Sequence, residues 1–298
     1  MKTVQLDFEA IGTAWKIEIE SSLTPDKQQL LFEKIEKRIE VFDKTYSRFR
    51  KDSFITEISL NKGTYTFPKD AKALFSFYKN LYDATNHAVT PLIGQALSDA
   101  GYDSDYSLKP KSLSNPPSWD DALNYKHPKL EVKHPVLLDF GAAGKGYLVD
   151  IVAGLIKDEG LTEFYINAGG DIYQNSTHKQ SIKVGLEHPN DFSKVIGVAN
   201  IHNQSICASS GNRRNWGKFH HIINPHTLSS PRNILSTWAV ADTAILADGM
   251  TTCLFFEKGE KLQTKFNFEY LILFDDYSYE ISSNFPSRLY TNTNTLSL

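Results

Sequence analysis

Asp248 and Thr252 stand four residues apart in ADGMTTCLFF at 247–256. On a helix, that spacing puts both side chains on one face. A carboxylate and a hydroxyl, helped by a backbone carbonyl, suit a hard cation such as Mg²⁺ that keeps positions for water or substrate phosphate. A helix cap or a surface pair would use the same residues. A second group lies in HPVLLDFGAAGKGYLVD at 134–150. Val136 to Phe140 reads as a short buried strand, Gly141, Gly144 and Gly146 break it, and helical spacing resumes at Tyr147. Strand, glycine turn and helix start would point N–H groups at an anion, with Lys145 adding a mobile charge. Neither the dinucleotide fingerprint nor the P-loop is present, and an ordinary tight turn is the alternative.

Two further stretches carry donors. In NAGGDIY, Asn167, Gly169 and Gly170 follow a strand, and paired glycines allow positive φ or close approach to a ligand. Asp171 then orients either the loop or a ligand hydroxyl. In CASSGNRRNWGKFHHIINPHTLSSP, Ser209, Ser210 and Gly211 form a compact donor cluster suited to phosphate, beside Arg213 and Arg214. His220, His221 and His226 lack zinc-ligand spacing. His221, entering the apolar Ile222–Ile223 step, is either a proton acceptor near a bound phosphoanhydride or a satisfied histidine at a strand edge.

Elements to position these groups can be read in order. Residues 4–20 alternate like strands around Gly12-Thr13, and Thr24-Pro25 marks a helix start. Leu31, Ile35, Ile39 and Phe42 make one face of an amphipathic helix ending near Asp43. TYSRFRKDS follows, where Tyr46 and Ser47 serve either a polar connection or a ligand pocket. A second helix is expected over 69–83, and a Ser- and Pro-rich surface excursion near 102–133. Another helix follows at 147–157, then strands at 164–166, 182–184 and 195–201. Helix and strand signals alternate early and strands dominate later, which favours an α+β or mixed α/β sandwich over a doubly wound sheet.

At 298 residues and a formal charge of -3, the chain can bury a large core and shows no electrostatic footprint for nucleic acid. Cys207 and Cys253 read as buried free thiols. No apolar run reaches membrane-spanning length, and no signal peptide or lipobox is visible. A cytoplasmic location is expected for the chain as given, with a removed leader left open.

Together these pieces resemble the ApbE-like flavin transferases, whose members move FMN from FAD onto a threonine or serine of a target protein. The matching pieces run in family order. They are Gly12-Thr13 with Trp15, TYSRF at 45–49, LLDFGAAGKGYLVD at 137–150 and INAGGDI at 166–172. VGLEHP at 184–189, SSG at 209–211, HIINP at 221–225 and ADGMTT at 247–252 complete the set.

The resemblance implies one ApbE-like domain over 1–298, an α+β sandwich whose lobe count is left open at one or two. It implies FAD as substrate, Mg²⁺ near the FAD pyrophosphate and an acceptor protein as partner. Gly144, Asp248 and Thr252 fall on the expected metal positions, and His221 and Lys145 on the expected catalytic ones. The FAD site is expected to draw on Thr13, Tyr46, Ser47, Gly141 and Lys145. It should also use Asn167, Gly169, Gly170, Asp171, Ser209, Ser210, Gly211 and His221. Hydrolysis of FAD to FMN and AMP, and non-catalytic FAD binding, are the alternatives. Three departures from the family pattern stand out, and those at 86–92 and 224 motivate the non-catalytic reading. Asn224 replaces the usual Asp, Leu228-Ser229 replaces a Gly, and Asn86-His87 with Val89–Leu92 replaces a Gly-Gly and Phe-Asp-Pro-Thr run.

Overall fold

The computed structural model describes residues 2–178, 180–292 and 295–296. The opening alternation folds as the strands Lys2–Ala10 and Thr13–Ser21. They are joined at Ile11 and Gly12, both at positive φ (46° and 73°), the tight hairpin geometry that matches strand twist. Trp15, Ile17 and Ile19 point into the core.

The chain forms two compact units, one of residues 1–40, 145–213 and 232–298, the other of 41–144 and 214–231. The first is built on an eight-stranded sheet. Its order is Lys2–Ala10, Thr13–Ser21, Phe164–Ala168, Asp171–Asn175, Ser205–Ser210, Ile234–Ala241, Glu269–Phe274 and Tyr279–Ile281. Every neighbouring pair is antiparallel, as the α+β reading requires. A three-stranded sheet of Ile182–His188, Asp191–Ile201 and Ser287–Leu289 shares a core with it through Leu186, Ile196, Ile206, Trp238 and Leu271. This unit is therefore a sandwich. On Ser205–Ser210 and Ile234–Ala241 the residues alternating with that core are small: Cys207, Ser209, Thr237 and Ala239. Small side chains let the Ala244–Cys253 helix lie close on these two strands.

The second unit has a small sheet of Gly63–Thr66, Lys129–Val132 and Leu123–Lys126, with helices Phe54–Leu60, Ala71–Ala84 and Gly94–Asp99. Tyr46, Phe67, Phe75, Tyr78 and Phe140 fill its core with edge-on and stacked rings. One expectation is corrected here. Val136 to Phe140 is not a strand; it is an irregular segment with Val136, Leu138 and Phe140 buried, and the Asp139 N–H goes to the Pro91 carbonyl (2.7 Å). Within 102–133, Trp119–Ala122 is a helix and Leu123–Lys126 and Lys129–Val132 are strands of this small sheet, while residues 102–118 carry no helix or strand.

Candidate active site

The Gly144–Asp158 helix starts three residues earlier than its apolar spacing suggests, so Lys145 and Gly146 lie in its first turn. Gly146 is required by a close approach: a Cβ there would sit 2.2 Å from the Ala244 carbonyl oxygen and 2.7 Å from Asp248 Cβ. The approach lets the Gly146 N–H donate to Asp248 Oδ2 at 2.9 Å. One turn along the same helix, Asp150 accepts from the N–H groups of Ala244 (2.8 Å) and Ile245 (2.9 Å). Those two N–H groups open the Ala244–Cys253 helix, whose N-cap Thr243 makes no side-chain cap bond. Each helix thus has a carboxylate from the other at its N-terminus, where the helix dipole favours negative charge. Burial pushes the Asp150 carboxyl up to about 6, against the pull of the two N–H bonds.

Asp248 is buried, at 5% exposure. Burial raises its pKa, while Lys145 and the Gly146 N–H oppose the rise. Lys145 is paired with Asp171, which is itself 1% exposed. The two carboxylates thus share one lysine, a local balance that favours a further cation. Thr252 is half-buried one turn after Asp248, while its neighbour Thr251 is bonded in place. The Thr251 hydroxyl donates to the Asp248 carbonyl (2.7 Å), and Thr237 donates to the Thr251 carbonyl (2.7 Å). Ser209 lies 2.8 Å from Thr251 Oγ1. Because the Thr251 proton is already used, Ser209 is the donor of that bond and keeps only acceptor capacity.

Other expected phosphate donors are committed inside the protein as well. The Ser210 hydroxyl and the Gly211 N–H both go to the Leu235 carbonyl (3.1 and 3.3 Å). In the glycine turn, Gly141 N–H donates to Asp139 Oδ1 (2.7 Å), Ala143 N–H to the Tyr78 hydroxyl (3.1 Å) and Gly144 N–H to the Phe140 carbonyl (2.7 Å). An anion at either place would compete with these partners. Lys145, the cationic side chain that follows, is likewise paired, with Asp171. In NAGGD, Gly169 and Gly170 adopt φ of 62° and 101° and make a two-residue hairpin turn, closed by Gly170 N–H to Asn167 Oδ1 (2.8 Å). Thr13 lies against Gly169, where a Cβ would be 1.8 Å from its hydroxyl oxygen.

In the second unit, Tyr46 is buried with its hydroxyl on Asp70 Oδ1 (3.0 Å), and the half-buried Ser47 donates its N–H to the Asp43 carbonyl (3.0 Å). His221 follows the Asn215–Trp216 and Phe219–His220 hairpin, its N–H donating to the Arg214 carbonyl (3.2 Å). Its Nδ1 is buried and has no hydrogen-bond partner among the described residues. Burial first, then Arg214 and His220, hold its pKa down at about 3, which keeps the imidazole neutral and basic-side open. His220, by contrast, is fixed at both ring nitrogens, through the Ile222 N–H (3.2 Å) and the Pro231 carbonyl (2.7 Å).

Two of the three departures place non-glycine residues at positive φ. Asn86, His87 and Leu228 have φ of 49°, 71° and 52°, the left-handed region that glycine would enter without cost. The His87 ring stacks on Tyr82 (4.0 Å between centroids, 8° between planes). Asn224 Oδ1 accepts from the N–H groups of His226 (2.8 Å) and Thr227 (3.3 Å), a turn that an Asp carboxylate would also close. Sequence reading missed Asp150, Asp139 and Thr251. Asp139 forms a buried ion pair with Arg48, and an aspartate within the otherwise apolar Val136–Phe140 run was the available signal.

Among the described residues no group of three or more His, Cys, Asp or Glu could hold a metal, so a cation would depend on carboxylate, hydroxyl and carbonyl oxygens. No helix among them is long and apolar enough to cross a membrane.

A mixed α/β chain with a buried helix-borne Asp, a glycine-turn lysine and a desolvated histidine can be compared with proteins of known sequence and structure. The sequence matches the ApbE family over residues 11–272, and the chain belongs to that family. It is 23% identical to an FAD:protein FMN transferase of Escherichia coli strain K12, over 97% of this chain and 90% of that protein. It is 24% identical to an FAD:protein FMN transferase of Salmonella typhimurium, over 90% and 83%. The crystal structure of the ApbE protein of Thermotoga maritima superposes with a TM-score of 0.82 at 20% identity, covering 95% of this chain and 97% of that one. The flavin transferase ApbE of Vibrio cholerae gives 0.77 at 18%, over 95% and 98%. These two likenesses concern the fold.

Proposed function

We propose that this protein is an FAD:protein FMN transferase, moving FMN from FAD to a threonine or serine hydroxyl of an acceptor protein and releasing AMP. Family membership and the activity of the E. coli and Salmonella relatives support the reading. The observation that carries it in this chain is the buried Asp248, bonded to the Gly146 N–H and sharing Lys145 with Asp171.

Asp248 and Thr252 would hold Mg²⁺, and the family resemblance adds the Gly144 carbonyl. One carboxylate among neutral oxygens suits an ion that also takes substrate phosphate oxygens and water. When bound, the ion supplies charge neutralisation on the transferring and leaving phosphates. Asp171 holds Lys145 at the start of its helix, where its charge offsets part of the negative charge of Asp171 and Asp248. Asp150, Thr251 and Ser209 hold the Asp248 helix in register. The acceptor hydroxyl oxygen bonds to the FMN-side phosphorus as the bond from that phosphorus to the bridging oxygen breaks. AMP leaves with the bridging oxygen, and His221 takes the hydroxyl proton.

Incubation with FAD, Mg²⁺ and a threonine-bearing acceptor peptide tests this. An FMN adduct by intact mass is expected. Intact FAD with several acceptors would overturn the proposal, and FMN with AMP but no adduct would assign FAD hydrolysis instead.

A further inference from the structure

A second set of contacts, all within residues 41–144 and 214–231, converges on His221 from behind. Arg214 accepts the His221 N–H at its carbonyl (3.2 Å), and its guanidinium Nη1 donates to the Tyr102 hydroxyl (2.7 Å). Tyr102 is buried and fixed in turn. Its carbonyl accepts from Arg48 Nη1 (2.7 Å), its ring lies under the Arg48 guanidinium (4.9 Å) and it stacks on Trp216 (5.7 Å). Arg48 is paired with Asp139. Asp139 Oδ1 accepts the Gly141 N–H. A continuous polar path therefore runs from the glycine turn to the backbone of His221.

We propose that Arg214 is a positioning residue for His221, anchored on the Tyr102 hydroxyl and, through Tyr102, on the Arg48–Asp139 ion pair. Its carbonyl fixes the His221 backbone, and its guanidinium, tethered on Tyr102, acts electrostatically against protonation of the ring. A neighbouring cation disfavours the imidazolium, so at neutral pH the ring is uncharged with its lone pair open, at lower basicity. Burial first, then the Arg214 guanidinium and His220, disfavour the charged form of the ring, while the Arg214 backbone and Asp139 favour it; Arg48 in turn pairs with Asp139. A guanidinium swinging free in water would be screened and would act on the ring only weakly. The Tyr102 hydroxyl is what prevents that.

The importance of this device for transfer rests on the reading of His221 as the proton acceptor, but its test does not. In the full chain, the His221 imidazole is followed by NMR from about pH 7 down to about pH 3.5, a range over which the parent ring, held down at about 3, stays mostly neutral. Arg214→Gln keeps a donor for Tyr102 but removes the charge, and His221 should take its proton about one pH unit higher. Arg214→Lys should restore the parent titration. Tyr102→Phe, a gentler change that keeps the ring, should move the titration in the same direction as Gln. A folded Arg214→Gln protein that titrates with the parent, or a Lys variant that behaves like Gln, overturns the proposal. In the transfer assay, the acid limb of kcat should follow the imidazole while KM for FAD changes less than about threefold. An imidazole that moves without the kcat profile leaves the positioning role standing and removes His221 from the reaction.

Discussion

Replacing Gly146 by alanine puts a methyl carbon 2.2 Å from the Ala244 carbonyl oxygen, 2.6 Å from its carbon and 2.7 Å from Asp248 Cβ. Two of these neighbours are backbone, so no side-chain rotation relieves the contact. Reaching ordinary packing distance requires the Gly144–Asp158 and Ala244–Cys253 helices to separate locally by roughly 1 Å. Overpacking of that kind costs about 1–3 kcal/mol. The separation also weakens the Gly146 N–H bond to the Asp248 carboxylate, worth about 1.5–3 kcal/mol for a charged acceptor. Alanine returns up to about 1 kcal/mol through helix propensity. The net is a loss of about 2–5 kcal/mol. Gly144→Ala is the internal control, because a Cβ there meets only Phe140 Cβ at 3.4 Å, an ordinary contact. It should stay within about 1 kcal/mol of the parent, two positions away on the same helix. Urea unfolding of the three proteins measures both values. Equal midpoints for Gly146→Ala and the parent would refute the close approach as the reason for glycine at 146.

Three other outcomes follow from the same geometry. Asp150→Ala removes two capping bonds from the Ala244–Cys253 helix and should cost about 1–4 kcal/mol in chemical unfolding, since each cap is worth about 0.5–2 kcal/mol. Unfolded His221 takes a proton near 6.5, while the folded residue resists to about 3. The unfolded state therefore binds more protons below about pH 6.5, and stability falls as pH drops; between pH 7 and 5 His221→Gln should spare the protein about 2 kcal/mol of that loss. Leu228→Gly relieves a left-handed residue (φ 52°) and should be neutral or stabilising by up to about 1 kcal/mol in thermal unfolding.

Elements whose burial follows their periodicity were legible from the residues alone. Leu31, Ile35, Ile39 and Phe42 form the buried face of a helix that runs Pro25–Tyr46, and Gly12 turns the first hairpin. Val136–Phe140 misled because a short apolar run is buried whether or not a partner strand exists. Gly144–Gly146 misled because glycines signal a turn, whereas here they open a helix that must pass close to another backbone. At the candidate site, residue types and order were readable, but partnerships were not. Lys145 meets Asp171, Gly146 meets Asp248, Asp150 meets Ala244, and Arg48 meets Asp139, each across a long loop of sequence. Only the fold brings such pairs together, so roles that depend on them, Asp150 above all, had no local signature. The Ser209–Gly211 donors show the converse, since their chemistry was legible while the acceptors already holding them were not.

The most direct test of FMN transfer counts products in one reaction. The protein is incubated with FAD, Mg²⁺ and acceptor, and AMP is quantified beside the acceptor's FMN adduct. Equal amounts of AMP and adduct are expected, both lost in Asp248→Ala and on chelation of the metal. AMP released in full with no adduct, or the same yield from Asp248→Ala, would contradict the proposed transfer chemistry at this site.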